Sequence, residues 1–152
     1  MTDDHAALRA WAKSTYPTEA ATELLIRGFH GRFARPGHPW IVTAAPKRPG
    51  HHGPATWINF QAISDGTGAL SSGERAFLLI AASIGHNWVL VNLSEEICRL
   101  DREHLDLVLA ALAHAAGSHQ HSGVTFDPDG TPIGFTIKLP SLYPWPKPLD
   151  TA

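Results

Sequence analysis

The sequence is poor in cysteine and has no long hydrophobic run. Its 152 residues include a single cysteine, Cys98, so an internal disulfide cannot form. The longest apolar run, from Ala76 to Ala82, is far shorter than the roughly 20 residues that a membrane-spanning helix needs. The first residues, MTDDHAALRA, are acidic where a signal peptide would be basic. We therefore expect a cytoplasmic protein without a membrane partner.

The composition is that of a folded domain. Hydrophobic residues make up 43% of the chain and charged residues 17%, which is typical of a globular protein and not of a disordered one. A chain of this length fits one domain. Arginine outnumbers lysine and alanine is abundant, which suggests a bacterial genome rich in GC.

Hydrophobic periodicity and turn residues predict the order of the secondary structure elements. Helices are expected at 4–14, from Pro17 to Gly28, after a capping box at Ser71 and Glu74, and at 102–116 after Asp101. Strands are expected at 40–43, 56–63 and 88–93, and a hairpin around the turn DPDG at 127–130.

This alternation of strands and helices predicts an α/β (α+β) fold in a single domain over residues 1–139. Right-handed crossovers would build one small mixed sheet, with the helices packed on it and the hairpin at its C-terminal end. The helix after Ser71 is apolar almost all round, so we expect it to be central and buried. The Pro-rich tail, 140–152, cannot be a helix or a central strand, and we expect it to cover the sheet edge or the core.

Residues 70–101, LSSGERAFLLIAASIGHNWVLVNLSEEICRLD, carry three short motifs in a fixed order. The first five residues, LSSGE, the apolar run 88–93 and the pair Leu100-Asp101 resemble the signature motif, Walker B strand and D-loop of ABC-type ATPases. The resemblance implies that Ser71 and neighbouring amides contact the γ-phosphate of a nucleotide held by a partner subunit.

The sequence lacks two features that ATP hydrolysis in that family requires. Ser94 stands where the magnesium-binding aspartate of Walker B would be, and no GxxxxGK[ST] loop is present to cradle phosphates. The chain cannot therefore hydrolyse ATP in the P-loop manner. The favoured interpretation is a helix cap formed by Ser71 and Glu74, and the alternative is a protein that docks on a true ATPase and offers Ser71 in trans.

Ten histidines raise the question of a metal. The candidate ligands are His119 and His121, which would share a face of an extended segment, and the adjacent pair His51 and His52. Zinc needs three or four such groups that converge in space, and the sequence contains no HExxH or CxxC. A His-dependent metal enzyme is one alternative, and histidines scattered over polar loops are the other.

No catalytic residue and no cofactor are predicted. The motif GxSxG is absent, and Cys98 lies among apolar residues in a setting more typical of packing than of a nucleophile.

A basic stretch rich in aromatic residues is the strongest candidate for a binding surface. No acidic residue occurs between Glu23 and Asp65, and within this interval lie Arg27, Arg32, Arg35, Lys47 and Arg48, with Trp40 among them. Guanidinium groups bind phosphates and exposed aromatic rings stack on bases, so the segment suits nucleic acid or another polyanion. The alternative is that the aromatic residues are core and that the arginines pair with acids elsewhere in the chain.

We conclude from the sequence that the protein is a small non-enzymatic binding or regulatory protein. A protein partner is favoured over nucleic acid because the chain as a whole has a net charge of −2. The contact surface is expected around residues 27–52.

Overall fold

Helices make up most of the part of the chain that the structure describes. The computed structural model describes residues 3–45 and 55–148. The α-helices are α1 (Asp3–Ala12), α2 (Tyr16–Arg27), α3 (Gln61–Gly66), α4 (Ser72–Gly85), α5 (Leu93–Glu96) and α6 (Arg102–Ala115). Short 3-10 helices occupy Gly28–Ala34, Ile97–Arg99 and Ser118–Gln120. The strands are β1 (Ile41–Ala44), β2 (Ala55–Ile58), β3 (Ser122–Phe126) and β4 (Pro132–Lys138).

The two longest helices begin where the sequence predicts them. The Ser71 hydroxyl accepts a hydrogen bond from the Glu74 amide (3.3 Å), and the Glu74 carboxylate accepts one from the Ser71 amide (3.0 Å). Helix α6 begins at Asp101, whose carboxylate accepts from the His104 amide at 2.8 Å. These side chains satisfy amides that have no partner inside the first helical turn, so the capping box and the Asp101 cap are both confirmed.

Helix α4 lies at the centre of the core, as its apolar sequence predicts. Its Phe77 and Leu78 are fully buried, and α2 packs against both α4 and α6. The core is completed by Trp40 and by Phe33 from the turn after α2. Burial of these large side chains supplies the main driving force for folding.

The strands form two separate antiparallel pairs. Strand β1 pairs with β2, with Ile41 opposite Ile58, and β3 pairs with β4, with Ser122 opposite Lys138. The mixed single-domain α+β class is confirmed, whereas the expectation of one sheet joined by crossovers is wrong. The predicted strand 56–63 ends at Ile58, because the chain turns into α3 after Phe60.

The apolar run 88–93 is not a strand, which removes the crossover. After α4 the chain turns at His86 and reaches α5 without pairing to any described strand. Trp88 and Leu90 are 78% and 87% exposed, and of this run only Val89 is buried. A short apolar run fits several structures, and without a neighbouring strand it cannot satisfy its backbone groups as a sheet. The expected packing of Cys98 is also wrong, because its side chain is exposed.

The tail folds back onto the helices. Residues 139–148 contain no helix or strand, as the prolines predict. The Tyr143 hydroxyl donates to the Asp106 carboxylate on α6, the Ser141 hydroxyl lies 3.3 Å from that of Ser118, and Trp145 packs against the core. The tail is therefore part of the folded unit up to residue 148. None of the helices in the described part of the chain is long and apolar enough to cross a membrane.

Candidate functional site

The aromatic residues of the predicted contact segment lie mostly inside the protein. Phe33 and Trp40 are each 1% exposed, and the Trp40 indole N–H donates to the Phe33 carbonyl at 2.9 Å. Phe29 is half-buried and meets Phe33 and Phe77 edge to face. Trp40 therefore cannot stack on a base without unfolding of the core, and its structural role is packing.

Two of the predicted arginines are paired with carboxylates of the same chain. The Arg27 Nε–H donates to Glu23 at 2.7 Å, and Arg32 forms an ion pair with Glu74 of the capping box. Arg35 is exposed and forms no ion pair among the described residues. Lys47 and Arg48 lie outside the described residues. The basic character of the segment is thus partly neutralised by Glu23, which is four residues from Arg27, and by Glu74, which is 42 residues from Arg32.

Three consecutive residues after α2 have left-handed backbone conformations. Phe29, His30 and Gly31 have φ values of 50°, 56° and 72°. The first two residues pay a steric cost of roughly 1–2 kcal/mol each in this region, because they have a Cβ. Such strain is retained only where surrounding contacts impose it.

His104 supplies the contacts that hold this left-handed turn. Its ring stacks on Phe29 with centroids 3.8 Å apart, and the Phe29 amide donates to its Nε2 at 3.3 Å. The Nδ1 of His104 lies 2.7 Å from the Asp101 carboxylate, so Nδ1 carries the proton that is donated there. The backbone amide of His104 is the main cause that lowers the pKa of Asp101 below its ordinary value.

A small cavity of about 140 Å³ lies beside this turn. Its lining includes Ser71, Gly73 and Glu74 from the start of α4, and Leu100, Asp101 and His104 from the start of α6. The two ends of the segment that resembles an ABC-type ATPase are thus neighbours in space, although the apolar run between them is not a strand. The proposal that the Ser71 loop acts in trans stays a prediction.

The candidate metal ligands do not converge in the described part of the chain. His119 stacks on His114, with centroids 4.3 Å apart, and His114 Nε2 lies 2.9 Å from the Glu19 carboxylate. Burial, and then the neighbouring His114, lower the pKa of His119. His121 is exposed, and His51 and His52 lie outside the described residues. No group of three or more metal-ligating side chains occurs in residues 3–45 and 55–148.

A cleft with a volume of about 510 Å³ lies between α1, α2, the end of α6 and the tail. Its lining includes Arg9, Lys13, Thr22, Glu23, Arg27 and Trp145. Of these residues the sequence pattern indicates Arg27 alone, because Trp145 joins the helices only when the chain is folded.

The hairpin β3–β4 exposes large apolar side chains. Val124, Phe126 and Ile133 are 42%, 58% and 64% exposed, and Leu142 in the tail is also exposed. The hairpin pairs with no other described strand, so both of its outer edges carry backbone groups without sheet partners. The predicted hairpin could have drawn attention to this surface, since its sequence is apolar on both sides of the turn.

Comparisons with protein-family models, with curated proteins and with solved structures find no match for this chain.

Proposed function

We propose that this chain is a small cytoplasmic binding or regulatory protein that acts without catalysis, through a protein partner. The observation that carries the proposal is the solvent exposure of Phe126 and Ile133 on the hairpin β3–β4. Exposed apolar surface of this kind marks protein interaction sites.

The hairpin has the features of a surface that accepts an added strand. A two-stranded hairpin is only marginally stable by itself in water, so it gains stability from a third strand. Its unpaired edges can hydrogen-bond an extended segment of a partner, and its exposed side chains can cover the apolar side chains of that segment. The partner is thus expected to contribute an extended, apolar segment.

The charge of the hairpin favours a protein over nucleic acid. Residues 122–138 contain Asp127, Asp129 and Lys138, so the hairpin has one net negative charge. A polyanion would be repelled, whereas a neutral or basic segment would be accepted. The segment 27–52 remains the alternative contact surface, where Arg35 is an exposed cation without an ion pair among the described residues.

The test compares partner capture by three forms of the immobilised protein, followed by quantitative mass spectrometry. We expect the wild type to retain a stoichiometric partner and the double variant Phe126→Ser/Ile133→Ser to lose it. The variant Arg27→Ala/Arg32→Ala/Arg35→Ala should keep the partner. Circular dichroism establishes that each variant is folded before capture.

The opposite pattern would refute the hairpin as the contact surface. Loss of the partner in the arginine variant alone would place the contact in segment 27–52. Copurification of nucleic acid that falls steeply with salt would replace the protein partner by a polyanion. If light scattering shows a dimer and the Phe126→Ser/Ile133→Ser variant is a monomer, the partner at the hairpin is a second copy of the chain.

A further inference from the structure

The cleft between α1, α2, α6 and the tail has the size of a small-molecule site. Its volume of about 510 Å³ lies within the range of roughly 300–1,000 Å³ that is typical of ligand pockets. It is built from segments far apart in sequence, since Lys13 follows α1 whereas Trp145 belongs to the tail. This cleft is separate from the hairpin surface, and the inference does not rest on the proposed partner.

The Arg27 guanidinium is held on two sides at the wall of the cleft. Its Nε–H donates to the Glu23 carboxylate, and its plane lies over the Trp145 ring, 4.9 Å from the ring centroid. Its terminal Nη1 and Nη2 groups form no hydrogen bond with any described residue. An arginine fixed in this way is ready to bind a carboxylate with two parallel hydrogen bonds at little entropic cost.

The charged side chains around the cleft can balance the charge of one bound anion. Glu23 is shared by Arg27 and Arg9, whose Nε–H donates to it at 2.5 Å. Lys13 forms no ion pair with any described residue, and Glu19 is hydrogen-bonded to His114. Among the arginine, lysine and glutamate side chains that line the cleft, three cations face two carboxylates, an excess of one positive charge.

A buried hydroxyl in the wall of the cleft lacks a hydrogen-bond partner. The side chain of Thr22 is fully buried and lines the cleft, and its Oγ1 has no partner in the described part of the chain. A buried hydroxyl without a partner is rare in folded proteins, and a bound ligand is one means to satisfy it. This observation is independent of the charges and points to a polar ligand atom at this wall.

We propose that the cleft binds a small aromatic monocarboxylate. The carboxylate would be held by the terminal groups of Arg27 and by Lys13, and one of its oxygens would accept a hydrogen bond from the Thr22 hydroxyl. Trp145 supplies the aromatic surface against which the ring of the ligand packs. The single excess charge of the cleft matches a monoanion.

The test is a titration of the full chain followed by two-dimensional ¹H–¹⁵N NMR. The probes are benzoate, its neutral analogue benzamide, and acetate, which has the charge but no ring. We expect benzoate to shift the Trp145 indole resonance saturably and to bind more tightly than either benzamide or acetate. The Trp145→Phe variant assigns that resonance.

Three variants examine the binding groups. Arg27→Gln and Lys13→Gln should each weaken benzoate binding by about tenfold or more, as expected when at least one charge-assisted hydrogen bond is lost. Thr22→Val removes the unpaired hydroxyl at almost constant shape and should weaken binding less. Arg35→Gln, outside the cleft, is the matched control and should bind as the wild type does.

Lys13 is exposed, so its variant tests the proposal even if Arg27→Gln does not fold. The proposal is overturned if benzoate gives no saturable shift in the millimolar range, or if benzamide or acetate binds equally well. It is also overturned if Lys13→Gln binds benzoate like the wild type. A failure of this kind does not affect the hairpin proposal. The two sets of variants have only arginines in common, and Lys13→Gln tests the cleft without changing any of them.

Discussion

The substitution Gly28→Ala tests how closely the end of α2 packs against α4. A Cβ built at Gly28 would lie 2.5 Å from two ring carbons of Phe77, whereas carbon atoms normally approach to about 3.5–4.0 Å. Phe77 is fully buried in α4, and its ring meets those of Phe29 and His104 edge to face. The backbone of Gly28, at φ −69° and ψ 144°, suits any residue, so the added methyl group is the only source of strain.

The expected magnitude follows from two opposing terms. Overpacking of a dense core costs about 1–3 kcal/mol, while alanine restricts the unfolded chain and recovers about 0.4–1 kcal/mol. A net loss of roughly 1.5 kcal/mol should lower the Tm by about 3–6 °C for a chain of this size. The second term can be cancelled by comparison with Gly68→Ala, because a Cβ at the exposed Gly68 would meet no atom within 4 Å.

The assay is urea unfolding monitored by circular dichroism for both variants and the wild type. We expect Gly28→Ala to be about 1–3 kcal/mol less stable than Gly68→Ala, which reports the clash alone. In a Phe77→Leu background the cost of Gly28→Ala should be smaller, with a coupling of at least about 0.5 kcal/mol. Equal stabilities of Gly28→Ala and Gly68→Ala, or strict additivity with Phe77→Leu, would refute the packing argument.

Two further outcomes concern caps and charge. Ser71→Ala should cost about 1 kcal/mol in urea unfolding because the Glu74 amide loses its cap, whereas Ser72→Ala, inside the first turn of α4, should be close to neutral; equal effects would contradict the cap. Burial would raise the pKa of Glu23, but hydrogen bonds from Arg9 and Arg27 outweigh it and hold the folded-state pKa below its ordinary value. The ionised Glu23 therefore stabilises the fold above the unfolded-state pKa of about 4.3, and this contribution is lost as the pH falls through the lower folded-state pKa. The stability difference between wild type and Glu23→Gln should be about 1–3 kcal/mol at neutral pH and shrink in acid, and a difference that does not vary with pH would contradict it.

The parts of the fold that the sequence predicts are those that depend on near neighbours. The capping box joins Ser71 to Glu74, the Asp101 cap joins residues three apart, and the DPDG turn forms the hairpin by itself. In each case the donor and acceptor lie within a few residues of each other, so the local sequence is enough to predict the hydrogen bond.

The parts that the sequence does not predict depend on partners far along the chain. The run 88–93 has the composition of a strand, but whether it forms one depends on another strand being beside it. The ion pair of Arg32 with Glu74 spans 42 residues, and nothing near Arg32 in sequence indicates it. The cleft is the extreme case, because Arg27 meets Trp145 only in the finished fold.

The packing of Trp145 against Arg27 also bears on the order in which the protein takes shape during synthesis. Helices α1 and α2 emerge from the ribosome well before the wall that Trp145 contributes, because Trp145 follows Arg27 by 118 positions in the chain. Closing this contact joins residues 118 positions apart, which makes it one of the slower contacts to form on entropic grounds. A nascent chain would thus expose the Arg27 side of α2 until residue 145 has cleared the exit tunnel, and the cleft can be complete only after that point.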